Sequence, residues 1–535
     1  MNAFDVLFVN GNVLTMHGGR RVKAVAVQGG KVVAVGEESE LQSGCGAQTK
    51  IVNLEGRTLL PGFEDAHAHI WKLGSLLTTS LDLRGVGSIE EIGRQIRERD
   101  ALLPEGAWLQ GRGFNELTLA EGRIPNRADL DRFSPQRPVL LTRTCGHIFI
   151  ANSVALQLAG ITLETQPPMG GVIERGVDGE LNGVLHETAV GLINRVLPLP
   201  AKQDYRAMIS AALKRQLSFG ITSSSDCGVV QGLLETYLEM DAESALPARM
   251  NVMPLGKPDG AATSAAKFGC YRSPMLTVGT VKFLADGGLS GGTAALTVPY
   301  KNNSNSCGVT RFHSDELFAL FAEYHNAGWR ICTHAIGDAA IEQVVSLYER
   351  LPRFPYQGRH RIEHVGLPSK SHLQRMAKNG AIVATQPIFF DELGDNFDAY
   401  LPESLETRVY PIREMLDAGL TVAFSSDAPV VRNDAPLKGV ECAVLRKTAG
   451  GKTILADQVV TAEEALYAYT VGSAEAAGEE LTRGSIQPGR WADFVVLSDD
   501  PTRVAPTEIS KITVEETWLA GKQVYANQSL CAACA

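Results

Sequence analysis

The chain has 535 residues, 44% hydrophobic and 21% charged, an ordinary globular balance with enough length for a large core. Its formal net charge of −10 argues against a nucleic-acid or anionic-membrane surface, which needs clustered Lys and Arg, and favours a small-molecule partner. No run approaches the roughly 18 apolar residues of a membrane helix, and the N-terminus lacks the basic and apolar regions of a signal peptide, so the cytoplasm is the expected location.

Residues 4 to 56 alternate short Val-rich runs with turns at Asn10-Gly11 and Gly29-Gly30, which predicts β-hairpins. The far end reads the same way, with a strand Phe494 to Leu497 after Pro488-Gly489, and a hairpin about Gly521. The two pieces, 1–59 and 481–526, are expected to close into one small composite β-sandwich domain bracketing the centre. A tail, 527–535, carries Cys531 and Cys534. Nine cysteines without a repeating spacing fit reduced thiols better than a disulfide framework.

From 60 to 480, apolar β-branched runs alternate with longer helical stretches, the pattern of repeated βα units. The expected fold class is α/β, a (β/α)8 TIM-like barrel. Its eight strands are read as Thr58 to His67, Ile221 to Asp226, Arg249 to Leu255, Val278 to Asp286, Trp329 to His334, His360 to His364, Ala381 to Gln386, and Thr421 to Asp427. After the first strand comes a long insertion, about 75–215, with helices such as Ser88 to Leu103. Insertions on that face become lids or pocket walls.

Several of these strands end in ligand-capable residues, where barrel enzymes build their sites. His67 and His69, two apart in an extended run, aim both imidazoles to one side. Such a pair is a candidate half-site for Zn, with Mn, Fe or Ni as alternatives. Lys282 inside an apolar strand must be paired, deprotonated or modified, because a buried ammonium ion is costly. Its carbamate, formed with carbon dioxide, would bridge two cations; a salt bridge to Asp65 or Asp286 is the structural alternative. His334, His364 and Asp427 complete four histidines, one lysine and one aspartate at strand ends facing one mouth.

Pro61-Gly62-Phe63 with Asp65, His67 and His69, then Lys282, His334, His364 and Ser426-Asp427, resemble the amidohydrolase superfamily of metal-dependent hydrolases. Arg112-Gly113-Phe114-Asn115, Pro125 with Ala128-Asp129-Leu130-Asp131, Cys145-Gly146-His147, Gly183-Val184-Leu185 and Thr333 to Asp338 are similar to the amidohydrolase family 3 branch, which includes N-substituted formamide deformylases. The resemblance implies one or two divalent transition metals, Zn first, with Mn, Fe or Ni as alternatives. It also implies that His67, His69 and Asp427 hold one metal and His334 and His364 a second, bridged by carbamylated Lys282.

A water activated between such metals would attack the carbonyl of an amide or formamide-like C–N bond, with Asp427 shuttling its proton. His147 is expected to stabilise the oxyanion or the substrate. Trp71, Asp286, Phe389 and Phe390 are candidate pocket residues, with core packing the alternative for the aromatic ones. Lactones, cyclic amides or other ester-like bonds are the alternative substrates, and a non-catalytic barrel binding protein the alternative class. The expected partners are a small molecule and a second copy of the chain in a homodimer.

Overall fold

The computed structural model describes residues 3–257, 268–352 and 359–527, so Cys531 and Cys534 lie outside the described residues. The chain is α/β. All eight expected central strands are present, as Phe63–Ala68, Ile221–Val229, Arg249–Pro254, Thr280–Leu284, Arg330–Ala335, Arg361–His364, Ile382–Thr385 and Thr421–Phe424. The first three pair in parallel in chain order, and so do the last five. Helices such as Lys202–Ser218, Ser314–Asn326 and Asp338–Arg350 lie between successive strands. The strands are therefore buried almost throughout, as parallel strands covered by helices are.

The expected fourth strand is interrupted at Gly279. Its first part, Leu276–Val278, pairs with the third strand, while Thr280–Leu284 pairs with the fifth. A parallel bridge between Leu255 and Lys282 links the two sheets there. On the other side, the Asp427 amide donates to the His67 carbonyl at 2.8 Å and the His69 amide to the Ala428 carbonyl at 2.7 Å. The ends of the eighth and first strands thus lie side by side.

The stretch read as one strand from Thr58 to His67 is two. Thr58–Pro61 pairs antiparallel with Phe494–Leu497, whereas Phe63–Ala68 pairs with the second central strand. Gly62 makes the transfer, because a Cβ there would fall 2.2 Å from Thr222 Oγ1. Residues from both chain ends share a six-stranded sheet, and this sheet packs on a four-stranded one built from residues 6–53. The Phe8 ring meets Phe494 at 5.4 Å and Trp518 at 4.9 Å edge-on, which ties the two sheets together.

The insertion holds more β-structure than its sequence suggests. Leu81–Asp82, Leu109–Phe114, Val139–Arg143, Ile148–Ala151, Leu181–Glu187 and Gly171–Arg175 form a mixed six-stranded sheet. Its strands are short and broken by glycines, so alternation is hard to see in the sequence. The expected helix at Ser88 is present as Ile89–Asp100, with the Ser88 hydroxyl accepting from the Glu91 amide. No helix among the described residues is long and apolar enough to cross a membrane.

Candidate metal centre and substrate cavity

The ligand atoms of His67, His69 and Asp427 all lie within 4.8 Å of one another. Asp427 Oδ1 is 3.5 Å from His67 Nε2 and 3.4 Å from His69 Nε2. The His67 ring lies 4.9 Å from that of His364, which is 4.5 Å from that of His334. Four strands therefore bring the four expected histidines and the aspartate to one place. His67, His69, Lys282, His334, His364 and Asp427 all line a single cavity of about 1060 Å³.

Each imidazole is held by one ring nitrogen. His67 Nδ1 meets Glu363 Oε2, His69 Nδ1 meets the Cys227 carbonyl at 2.7 Å, and His364 Nδ1 meets Gln386 Oε1 at 2.7 Å. His334 is held through the other nitrogen, with Nε2 3.0 Å from the Gly287 carbonyl. These acceptors require N–H at the held nitrogen, so the remaining one carries a lone pair, the tautomer that metal ligation needs. Burial holds all four rings neutral: His69 is pushed down to about 3, and His67, His334 and His364 also move down.

Two ligand positions depend on unusual backbone. Arg361 and Glu363 share a face as i and i+2, and their side chains are joined by an ion pair, 2.6 Å from Nε to Oε1. Continued alternation would send His364 to the opposite side. Instead His364 takes a left-handed φ of 70°, and Asp427 does the same at 56°. Non-glycine residues held there cost about 1–3 kcal/mol and cluster at functional sites.

Lys282 does not form the alternative salt bridge to Asp65 or Asp286: its Nζ is buried with no hydrogen-bond partner among the described residues. Asp65 instead accepts from the Ser426 hydroxyl at 2.5 Å and the Ser426 amide at 3.1 Å. Asp286, an expected substrate contact, is fully buried and spends its oxygens on the amides of Ala295, Ile336 and Gly337. It lies 3.3 Å from His334 Nε2, so it orients a ligand and the loops around it rather than reaching the cavity. Asp427 Oδ1 has no hydrogen-bond partner among the described residues.

This donor set fits a divalent transition metal. Neutral imidazoles with anchored second nitrogens, a carboxylate oxygen without a hydrogen-bond partner among the described residues, and a buried Lys282 Nζ likewise without one are what such a site requires before loading. A further trio, His67, Cys227 and Glu363, also lies within 4.8 Å. Glu363 is already committed to Arg361 and His67, which makes it a support for the site.

The other expected residues take cavity positions. Trp71, His147 and Phe389 line the wall, and Phe389 stacks on His364 at 6.3 Å. Phe390 is fully buried and packs against Tyr410 at 6.2 Å, which is the core alternative. His147 comes from the insertion, with Nδ1 2.8 Å from Glu187 Oε2. Glu187 also pairs with Arg311 at 3.3 Å. Burial works against the Glu187 charge, yet His147 and then Arg311 outweigh it and hold the carboxyl at about 2. Glu363, Gln386 and Glu187 were missed at the level of sequence. The one available signal was Glu363, an acid inside an apolar strand next to a ligand.

Residues 50–525 match the family model described as amidohydrolase family. The chain is 33% identical over 522 residues to the putative amidohydrolase YtcJ of Bacillus subtilis, covering 95% of this chain and 96% of that protein. It is 29% identical to the N-substituted formamide deformylase of Arthrobacter pascens, covering 97% of each. Among solved structures, an uncharacterized metal-dependent hydrolase from Pyrococcus horikoshii superposes with a TM-score of 0.75 at 25% identity, over 94% of this chain and 99% of that one.

Proposed function

The chain belongs to the amidohydrolase family, and on that premise we propose that it is a metal-dependent hydrolase of a C–N bond in an amide or formamide-like substrate. The observation that carries this reading is the set of four histidines, each held by one nitrogen, around an Asp427 oxygen that has no partner among the described residues. The formamide deformylase among its relatives supports the choice of bond. The architecture that goes with it is a closed (β/α)8 barrel over 60–480 and a composite β-sandwich domain from 1–59 and 481–526.

In this reading His67, His69 and Asp427 hold one divalent ion, with zinc the first choice, and His334 and His364 a second. When bound, such ions acidify water and polarise a carbonyl. Asp427 receives the proton of the attacking water and passes it to the leaving nitrogen, so the C–N bond breaks as a C–O bond forms. His147, paired through Nδ1–H with the Glu187 carboxylate, acts as an imidazolium and donates from Nε2–H to the substrate carbonyl. Lys282, once its ammonium has given up a proton, adds the neutral amine to carbon dioxide, forming an N–C bond as a C–O π bond breaks and releasing a second proton. The carbamate turns a buried cation into an anion facing His67, His334 and His364. The absence of a partner for Lys282 Nζ supports this assignment.

The test is a screen of purified, metal-loaded protein against formamides, N-acyl amines, cyclic amides and lactones. Turnover of open amides ahead of the cyclic compounds is expected. Turnover confined to lactones would move the protein to ester-like substrates, and no turnover with metal bound would favour a binding role.

A further inference from the structure

Lys72 lies in the first turn of the helix Ile70–Thr78, just after the metal-binding histidine pair, and Arg112 lies on the insertion strand Leu109–Phe114. Both line the same cavity as His67, His69 and Asp427. They are close enough that the Arg112 charge works against the charge on Lys72. Neither has a carboxylate partner among the described residues. The contact of Lys72 is the neighbouring Trp71 ring, 5.8 Å away, and Arg112 makes one long hydrogen bond, Nη2 to the Thr144 carbonyl at 3.4 Å. Arg112 Nε is buried without a partner. Space is kept for the guanidinium by Gly146, where a Cβ would fall 2.8 Å from Arg112 Nη2.

The acids that line the cavity are committed elsewhere. Asp427 faces His67 and His69, Glu187 serves His147 and Arg311, Glu235 accepts from Gln231, and Asp204 caps its helix at the Ala201 amide. Asp427 attracts both cations and Asp226 attracts Lys72, but neither acid forms an ion pair with them among the described residues. Two cations on one partly buried wall that lack a directly paired carboxylate favour an arriving anion. The remaining wall includes Trp108, Phe149, Leu197 and Leu199, which suit an apolar body.

We propose that Lys72 and Arg112 together bind a carboxylate carried by the substrate, so that the enzyme acts on amides with an apolar body and an anionic group. This rests on the hydrolase reading above. The guanidinium presents a fork that matches two carboxylate oxygens, and the ammonium adds a point charge. A neutral amide would leave both cations without a directly paired carboxylate.

Three probes separate the cases: N-formylbenzylamine is neutral, N-formylphenylglycine carries a carboxylate on the amine half, and N-benzylsuccinamic acid carries one on the acyl half. We expect kcat/KM for one of the charged probes to exceed that of the neutral one by about 10- to 100-fold. Lys72→Met should lower this ratio by about 10-fold, while Lys72→Arg, which keeps the charge, should preserve most of it. Calorimetry on metal-stripped protein should detect binding of the favoured charged probe, weaker in Lys72→Met and at higher salt. If the neutral amide is turned over as well as both charged ones, or the ratio survives in Lys72→Met and Arg112→Met alike, the carboxylate site is wrong and the hydrolase reading stands. If none of the three is hydrolysed, calorimetry decides. Binding that depends on Lys72 upholds the anion site, and no binding, or equal binding by Lys72→Met, overturns it.

Discussion

Gln386 sets the tautomer of His364. Its Nε2 donates to the Ser425 hydroxyl at 2.9 Å, which leaves Oε1 facing His364 Nδ1 at 2.7 Å. The amide oxygen can only accept, so the proton sits on Nδ1 and the lone pair on Nε2 is left for a metal. Replacing Gln386 with Leu removes that constraint without touching a ligand. Metal affinity, read by chelator competition, is expected to fall about 10- to 100-fold with the far-UV spectrum retained. Unchanged affinity would remove His364 from the ligand set.

The ligand assignment itself is tested by His67→Ala and Asp427→Ala. Both residues sit at strand ends, above a core held by interior packing. Each variant should lose turnover by about 100-fold or more and bind less metal, while its unfolding midpoint stays near that of the wild type. Near wild-type turnover with full metal content would show that the roles are misassigned.

Lys282 makes the sharpest prediction about chemistry. Lys282→Ala should lose activity and regain part of it with added short-chain carboxylic acids. Lys282→Arg should stay inactive, because a guanidinium remains positive. Protein reconstituted with metal in carbon-13 bicarbonate should show a carbamate carbonyl resonance that Lys282→Ala lacks. A plain amine in the density of the metal-loaded enzyme would refute the modification.

The buried pair Arg361 and Glu363 carries a stability prediction. Arg361 also donates to the Ala66 carbonyl at 2.7 Å, inside a site where neither side chain reaches solvent. Arg361→Met leaves Glu363 charged and buried without its main partner, which is expected to cost about 3–5 kcal/mol in denaturant unfolding. A loss below 1 kcal/mol, on the order of a surface substitution, would mean that the pair contributes little.

Glu187 predicts a pH dependence. Its carboxyl is held at about 2 in the folded chain against an ordinary value of 4.5, so the unfolded chain binds the proton more tightly. The stabilisation is therefore complete above 4.5 and is lost as pH falls from there towards 2. Glu187→Gln should be less stable than wild type by about 3 kcal/mol at neutral pH, and the gap should close across that acidic window. A gap independent of pH would assign Glu187 a packing role alone.

Much of this molecule was legible in the chain. The α/β alternation survives as eight strands because, within each of the two sheets they form, they pair in sequence order, so local pattern and topology agree. His67, His69, Lys282, His334, His364 and Asp427 could be named because polar residues at the ends of apolar strands stand out against their surroundings. What only the tertiary structure decided is how those residues are held. The left-handed turns at His364 and Asp427 break the two-residue period from which facing is inferred. Gln386 and Glu187 meet their histidines across 22 and 40 residues of chain. Lys72 and Arg112 come from different elements and share a wall only because the insertion folds back over the strand ends. A sequence pattern reports periodicity within one element, whereas the partner of a buried charge is set by which elements pack together.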